Sequence, residues 1–235
     1  MLDFSQFDWI SFDCYGTLID WESGILGYLG PLLQRKGLTL PDAQILSLYS
    51  QFEPREQAGN YRGYREVLAG VVNDFARELN FDVTPAEALG LGDAIRSWMP
   101  FPDVVPALRE LKRSYRLAIL SNIDDDLFQF SAQKLQVQFD CVTTAQQARS
   151  YKPSLRNFEL LLEKVSVPRS SVLHVAESLY HDVAPAASLG IATVWVNRRQ
   201  GKAAAASKYC DTRPDLEVSD LSVLVKLIAP QRRSE

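Results

Sequence analysis

The stretch WISFDCYGTLID, residues 9–20, decides the fold of this chain. A short, mostly apolar run, WISF, leads directly into Asp13, and the pair Gly16 and Thr17 then breaks the pattern. A run of this kind, bounded by a turn, is typical of a strand that is buried on both faces. A carboxylate at the end of such a strand lies where open α/β sheets bind their ligands. The stretch therefore indicates a buried parallel strand with a functional aspartate at its carboxyl end.

Further short runs rich in β-forming residues predict a sheet of five strands. The five predicted strands are Trp9–Asp13, Leu117–Ser121, Phe139–Thr143, Val172–Ala176 and Ala192–Val196. Helical stretches separate the later strands, and such alternation implies right-handed crossovers and a parallel sheet. The sequence thus predicts an α/β fold.

Residues 19–98 break this alternation. They predict four helices and no strand, at about 22–36, 41–53, 61–80 and 85–98, each with an apolar face or a Gly or Pro boundary. Helices inserted directly after the first strand would cover the crevice at its carboxyl end. We therefore predict a core domain of residues 1–18 and 99–235, and an inserted helical cap domain of residues 19–98.

Composition excludes several classes of function. The 235 residues are 46% hydrophobic and 23% charged, which is ordinary for a globular chain with a sizeable core. The net charge of −4, without a basic block, argues against a nucleic-acid partner. The N-terminus lacks the apolar segment of a signal peptide, and no run reaches the roughly 18 apolar residues of a membrane helix. Three scattered cysteines indicate a reducing cytoplasm.

Polar side chains follow three of the five predicted strands. They are Asp13, Tyr15 and Thr17 after the first, Ser121 and Asn122 after the second, and Glu177, Ser178 and Asp182 after the fourth. Lys152 lies between the third and fourth strands. An anionic carboxylate facing an ammonium group and several donors suits covalent catalysis by the carboxylate. We expect Lys152 to hold Asp13 ionised by lowering its pKa.

Four segments, DCYGT, SN, YKP and AESLYHD, resemble in order and spacing the four motifs of the haloacid dehalogenase superfamily. The resemblance spans nearly the whole chain. It implies a doubly wound, Rossmann-like sheet with the first strand at its centre, and it implies a catalytic role for four residues. Asp13 matches the nucleophile, Ser121 the hydroxyl of the second motif, Lys152 the lysine of the third, and Asp182 the last acid of the fourth.

Tyr15 separates two branches of that superfamily. In its phosphatases, the residue two positions after the nucleophile is an aspartic acid that protonates the departing alkoxide. A phenol with a pKa of about 10 is a poor acid for this purpose, whereas a halide leaves without a proton. The first motif therefore resembles that of the 2-haloacid dehalogenase (type II) branch. The resemblance implies hydrolytic conversion of a small 2-haloacid to a 2-hydroxy acid and halide through an aspartyl ester on Asp13.

The same resemblance implies the remaining roles. Thr17 would orient Asp13, Ser121 and the backbone amides after the nucleophile would hold the substrate carboxylate, and Asp182 would position the water, with help from Glu177. Asn122 would help to cradle the halide. The residues expected to contact substrate are Cys14 (through its backbone), Tyr15, Asn122 and Glu177. The resemblance also implies that the enzyme needs no cofactor and that it forms a homodimer.

Departures from the branch leave two alternatives open. The branch clamps the halide with an arginine on the second cap helix, where this chain has none; Arg55, Arg62 and Arg65 follow as candidates. Glu177 lies where many phosphatases place a magnesium-binding acid, so Asp13, Glu177 and Asp182 could together hold Mg²⁺. The alternatives are a Mg²⁺-dependent phosphatase of a small phosphate ester and a non-catalytic capped domain used for binding.

Several further residues are expected to have structural roles and not catalytic ones. The acidic run at 124–126 predicts an N-cap for the helix that follows it, in preference to a metal site. His174 is expected to be a packed, hydrogen-bonded core residue. The segment GKAAAAS, residues 201–207, predicts a loop or a short helix. Aromatic residues expected to pack the cap, some of them beside the substrate, are Trp21, Tyr61, Tyr64 and Trp98.

Overall fold

The computed structural model describes residues 2–199 and 210–229, so the segment 201–207 lies outside the described residues. Within that range, all strands belong to one parallel sheet in the order β3-β2-β1-β4-β5-β6. The strands are β1 Trp9–Phe12, β2 Arg116–Ser121, β3 Cys141–Thr144, β4 Val172–Ala176, β5 Ala192–Val196 and β6 Leu216–Val218. The five predicted strands are confirmed, and β1 is central. The sequence does not indicate β6, because its three residues at the sheet edge are too few to form a recognisable strand pattern.

Burial of β1 on both faces explains its apolar sequence. All four of its residues are buried: Ile10 and Phe12 belong to one apolar cluster, and Trp9 belongs to a second. Helices cover both faces, as a doubly wound sheet requires. These helices are α5 Val104–Leu111, α6 Asp125–Leu135, α7 Ala145–Ala148, α8 Leu155–Val165, α9 Ala184–Ser188 and α10 Leu221–Ile228. A π-helical turn, Leu179–Val183, precedes α9.

Four helices lie between β1 and α5, in the segment where the sequence predicts them. They are α1 Trp21–Arg35, α2 Asp42–Gln57, α3 Tyr64–Glu78 and α4 Pro85–Ala94, which a 3-10 turn, Ile95–Ser97, follows. These helices pack mainly on one another. Helix α4 starts as its sequence indicates: Thr84 and Glu87 form a capping box around Pro85. Helix α2 continues to Gln57, four residues beyond the predicted end, with Pro54 inside it.

The expected N-cap at residues 124–126 is partly wrong. The Asp124 side chain makes no cap hydrogen bond to its own helix, α6. It instead accepts hydrogen bonds from the backbone N–H groups of Tyr64 and Arg65 at 2.9 and 3.0 Å. Asp124 therefore caps the N-terminus of α3, a helix 60 residues earlier in the chain. It joins the sheet to the four inserted helices, which sequence spacing alone cannot reveal.

The described residues contain neither a membrane-spanning helix nor a disulfide-bonded cysteine. No helix there is both long and apolar enough to cross a membrane. Cys14, Cys141 and Cys210 are all free thiols, as their scattered positions predict.

Candidate active site

Asp13 lies at the carboxyl end of the central strand with both carboxylate oxygens fixed. Its Oδ1 accepts a hydrogen bond from Lys152 Nζ at 2.8 Å, and its Oδ2 accepts one from Thr17 Oγ1 at 2.8 Å. Only 7% of Asp13 is exposed. The structure therefore brings together the first and third of the four sequence motifs, which lie 139 residues apart.

Lys152 uses all three of its N–H donors. Besides Asp13, its Nζ donates to Asp182 Oδ1 at 2.5 Å and to the Leu120 carbonyl at 3.0 Å. An ammonium group has three donors and no acceptor, so this buried Lys152 is fully satisfied. The ammonium group bridges the carboxylates of Asp13 and Asp182, and it brings the fourth motif to the first.

The pKa values of these three groups correct one expectation. Burial raises the pKa of Asp13, and the opposing effect of the Lys152 charge does not overcome it. The expected lowering of the pKa of Asp13 is therefore wrong. For Asp182, burial acts in the same direction, but the Lys152 charge and the His174 hydrogen bond outweigh it and lower the pKa. Burial disfavours the charged form of Lys152, yet the two carboxylates outweigh burial and raise its pKa, so the ammonium stays charged.

A hydrogen-bonded chain behind Asp182 starts from the middle of two strands. His174 Nε2 lies 3.0 Å from Asp182 Oδ1, and His174 Nδ1 lies 2.7 Å from the hydroxyl of Ser11. His174 is 1% exposed and packs edge-on against Phe158 at a centroid distance of 5.3 Å. It is the packed, hydrogen-bonded core residue that the sequence predicts, and it also positions Asp182. The link to Asp182 was missed because the two residues lie eight positions apart on different elements.

Thr17 connects the first motif to the fourth. Its hydroxyl donates to Asp13 and accepts from the Glu177 backbone N–H at 2.9 Å. The Thr17 carbonyl accepts hydrogen bonds from Arg198 Nε and Nη2 at 2.9 and 2.6 Å. These contacts fix the turn that follows Asp13, so they fix the orientation of its carboxylate.

Ser121 and Asn122 differ in what they offer to a ligand. The Ser121 hydroxyl lines the cavity beside Asp13, and it is buried without a hydrogen-bond partner in the described part of the chain. The Asn122 amide is engaged: its Oδ1 accepts from the Lys152 backbone N–H at 2.7 Å, and its Nδ2 donates to the Lys152 carbonyl at 3.2 Å. Ser121 therefore offers a free donor, whereas Asn122 holds the backbone that carries Lys152.

Tyr15 and Cys14 face different surroundings. The Tyr15 ring lines the cavity, and its hydroxyl lies 2.9 Å from Ser131 Oγ, on α6. Burial raises the pKa of Tyr15 well above 10. The Cys14 side chain is fully buried in the apolar core and does not line the cavity, so only its backbone could meet a ligand.

A cavity of about 130 Å³ opens above these residues. All the predicted site residues line it except Cys14 and Thr17. Its other wall comes from the inserted helices and the segment that follows them: Trp21, Tyr49, Glu53, Gln57, Tyr64 and Trp98. The helices therefore cover the carboxyl end of β1, as predicted. Tyr49, Glu53 and Gln57 were missed, because helical periodicity does not say which side of α2 faces Asp13.

None of the three candidate arginines lines the cavity. Arg62 pairs with Glu56, Arg65 pairs with Asp93 and Asp126, and Arg55 lies over the Phe52 ring. The cavity arginine is Arg199, which follows β5. It pairs with Glu22 of α1, and its Nε lies 3.8 Å from Glu177 Oε1. Sequence analysis missed Arg199 because it belongs to none of the four motifs.

Glu177 is a partly buried acid that holds its proton more tightly than an exposed glutamate does. Burial, followed by the charges of Asp13 and Asp182, raises its pKa to about 7, although Arg198 acts in the opposite direction. In residues 2–199 and 210–229, no three His, Cys, Asp or Glu side chains are arranged to hold a metal ion. The Lys152 ammonium lies between Asp13 and Asp182.

Comparison with known proteins agrees with this geometry. Residues 7–190 match the family model of the haloacid dehalogenase-like hydrolases. The chain belongs to this family, and it is a hydrolase.

Curated relatives in this family are haloacid dehalogenases. Haloacetate dehalogenase H-2 of Moraxella sp. is 30% identical over 226 residues, covering 94% of this chain and 97% of that protein. The (S)-2-haloacid dehalogenase of Pseudomonas sp. strain YL is 29% identical, covering 93% of each. A solved structure of Xanthobacter autotrophicus L-2-haloacid dehalogenase, with chloropropionic acid covalently bound, matches with a TM-score of 0.79. It is 20% identical, covers 95% of this chain and 98% of that one, and shows likeness of fold alone.

Proposed function

We propose that this enzyme hydrolyses the carbon–halogen bond of a small 2-haloacid, giving a 2-hydroxy acid and halide through an ester on Asp13. One observation carries the proposal. Tyr15 stands where a phosphatase needs a proton donor, and its hydroxyl is bonded to Ser131 with a pKa well above 10. A departing halide needs no proton, so a halide suits this site, whereas an alkoxide would leave without a proton donor. The names of the two curated relatives support the same reaction.

In the first step, a carboxylate oxygen of Asp13 attacks carbon 2 of the substrate. The new C–O bond forms as the C–X bond breaks, and the halogen leaves with the bonding electrons as halide. The Ser121 hydroxyl, which has no hydrogen-bond partner among the described residues, donates to the substrate carboxylate. Thr17 and Lys152 hold the nucleophile in one orientation, so that little freedom is lost on reaction.

In the second step, water attacks the carbonyl carbon of the Asp13 ester. The bond between Asp13 Cγ and the bridging ester oxygen breaks, and that oxygen takes up the proton given up by the water. The 2-hydroxy acid then leaves, and Asp13 is restored. Lys152 Nζ, 2.8 Å from Asp13 Oδ1, stabilises the negative charge that develops on the ester carbonyl oxygen when water attacks. Asp182, oriented by His174, and Glu177 face the cavity as acceptors for the proton of the water.

We further propose that the reaction needs no metal. The buried Lys152 ammonium group already bridges Oδ1 of Asp13 and Oδ1 of Asp182, so a divalent cation at these two oxygen atoms would have to displace it. That ammonium supplies the positive charge that would otherwise come from Mg²⁺.

A halide-release screen tests the proposal. Chloro-, bromo- and fluoroacetate and 2-chloropropionate are incubated with the enzyme, with and without EDTA, and with Asp13→Asn as the control. We expect halide release from at least one of them, unchanged in EDTA and absent in Asp13→Asn. Release that EDTA abolishes would contradict the metal-free reaction. No release from any compound, together with EDTA-sensitive hydrolysis of a phosphate ester, would replace the proposal by the phosphatase alternative.

The ester intermediate has its own test. Repeated turnover in ¹⁸O-labelled water should place label in the carboxylate of Asp13, because water attacks the ester carbonyl. Mass spectrometry of the Asp13 peptide measures it, and an unlabelled peptide would indicate direct attack of water on the substrate.

The homodimer and the cytoplasmic location also remain proposals. The three free thiols support a reducing compartment. Light scattering of the purified enzyme tests the dimer, and a monomer at micromolar concentration would contradict it.

A further inference from the structure

The cap side of the cavity carries an acid, Glu53. Tyr49 and Glu53 extend from α2, Tyr64 begins α3, and all three line the cavity. The Tyr64 hydroxyl donates to Glu53 Oε1 at 2.5 Å, and the Tyr49 hydroxyl donates to the same oxygen at 3.2 Å. The two hydroxyls lie 3.1 Å apart. Two buried phenols therefore fix the Glu53 carboxyl group on the cavity wall.

Glu53 forms no ion pair with any lysine or arginine that the structure describes. In the part of the chain that the structure describes, its hydrogen bonds are the two from Tyr49 and Tyr64, and both go to Oε1. Burial raises the pKa of Glu53, and the two phenols oppose this only in part. An unpaired carboxylate away from water is costly, so a cation bound beside Oε2 would be stabilised there.

Several aromatic residues line the same cavity as this carboxyl group. Trp21 packs on Tyr49 at a centroid distance of 5.6 Å, and Tyr15 meets Trp98 edge-on at 5.7 Å. All four rings line the cavity. Aromatic faces attract cations, and proteins use aromatic cages to bind ammonium groups, so these rings add to the attraction that the Glu53 carboxyl group offers a cation in the cavity.

We propose that Glu53, held by Tyr49 and Tyr64, binds an ammonium group on the substrate, so that the preferred substrate is a 2-haloacid with an amino group on its side chain. This inference rests on the proposed function, in which Asp13 acts at the haloacid end of the same cavity. It also accounts for the missing cap arginine. An arginine on the cap side of the cavity would compete with the substrate ammonium group for the Glu53 carboxylate.

An isosteric pair of substrates tests the inference. 4-Amino-2-chlorobutyrate and 2-chloropentanoate differ by exchange of an ammonium for a methyl group, and 2-chloropropionate serves as the common reference. Chloride release is measured after subtraction of an enzyme-free blank. We expect kcat/KM for the amino compound to exceed that for its isostere by about tenfold or more, mainly through KM. Glu53→Gln should reduce this ratio to about one, whereas Glu56→Gln, which removes a charge outside the cavity on the same helix, should not.

The outcomes separate the two proposals. Release from 2-chloropropionate without preference for the amino compound, or with a preference unchanged in Glu53→Gln, overturns the inference and leaves the proposed function standing. Release from none of the three compounds by the folded enzyme overturns both.

A wild-type measurement covers the case in which Glu53→Gln does not fold. 4-Aminobutyrate and pentanoate are unreactive isosteres, and each is tested as an inhibitor of 2-chloropropionate turnover. The inhibition constant of 4-aminobutyrate should be lower by about tenfold. Equal constants, or stronger inhibition by pentanoate, would overturn the inference.

Discussion

Lys152 Nζ lies 2.8 Å from Asp13 Oδ1, and both groups are removed from water. The same nitrogen lies 2.5 Å from Asp182 Oδ1. One buried positive charge therefore compensates two carboxylates, and the activity and the stability of the enzyme depend on the same side chain.

Lys152→Met should lower both the activity and the stability of the enzyme. The substitution leaves Asp13 and Asp182 facing each other, so we expect halide release to fall about a thousandfold and the free energy of unfolding to fall by about 3 kcal/mol. Halide release and urea unfolding measure the two effects. Lys226→Met, on the exposed face of α10, is the control for loss of a lysine. A folded Lys152→Met enzyme with full activity would contradict the role of the ammonium group.

The motifs at the strand ends were predictable for a geometric reason. The carboxyl ends of parallel strands meet at one edge, so assigning β1, β2 and β4 was enough to bring Asp13, Ser121 and Asp182 together. The cap wall was not predictable in this way. Which side of α2 presents Glu53 to the cavity depends on how four helices pack together, and a helical pattern alone does not contain that information.

The sequence also does not show which of two opposing effects on a pKa is larger, or which of two helices a residue caps. The pairing of Lys152 with Asp13 was predicted correctly, but the pKa direction of Asp13 depends on how deeply the pair is buried. Likewise, the acidic run at 124–126 was correctly assigned to helix capping, yet Asp124 caps α3 instead of the helix beside it. In both cases the residue type indicates the interaction, and the tertiary structure decides the partner or the sign.

Tyr15→Phe should leave halide release nearly unchanged. The Tyr15 hydroxyl is bonded to Ser131 and does not ionise near neutral pH, so its loss removes no proton transfer. We expect less than about a fivefold change in kcat with 2-chloropropionate, and a loss of about 1 kcal/mol in unfolding free energy from the missing hydrogen bond. A fall of a hundredfold or more would mean that the phenol takes part in the chemistry, which would weaken the argument against an alkoxide leaving group.

Ser121→Ala should weaken substrate binding and leave the stability of the enzyme nearly unchanged. Because the Ser121 hydroxyl has no partner within residues 2–199 and 210–229, its removal breaks no hydrogen bond in that part of the chain. We expect the free energy of unfolding to change by less than about 0.5 kcal/mol, while KM for the haloacid rises about tenfold through loss of a bond to the substrate carboxylate.

Ser131→Ala is the matched control for that prediction. Its hydroxyl is bonded to Tyr15 and is buried outside the cavity lining, so its removal should cost about 1 kcal/mol of stability and leave KM nearly unchanged. If Ser121→Ala instead lowered stability and left KM unchanged, its hydroxyl would be a structural group and not a ligand of the substrate.

Glu177 should make the stability of the enzyme depend on pH. Burial, with the charges of Asp13 and Asp182, raises its pKa from 4.5 to about 7 in the folded chain. Between these two pH values, the folded chain binds the Glu177 proton more tightly than the unfolded chain does. The contribution of this group to stability is therefore complete below pH 4.5 and is lost as the pH rises to about 7. The loss amounts to roughly 3 kcal/mol above pH 7.

Glu177→Gln resembles the protonated acid at every pH, so it should remove this loss. Relative to the wild-type enzyme, the variant should gain roughly 3 kcal/mol in unfolding free energy between pH 4.5 and pH 8, as urea unfolding measures it. Glu159→Gln, on the exposed surface of α8, controls for the loss of one acidic charge. A difference between wild type and Glu177→Gln that stays constant over this range would mean that the Glu177 proton is not held by the fold. In that case Glu177 would already be a carboxylate at pH 5, and its availability as an acceptor for the proton of the water would not change with pH near neutrality.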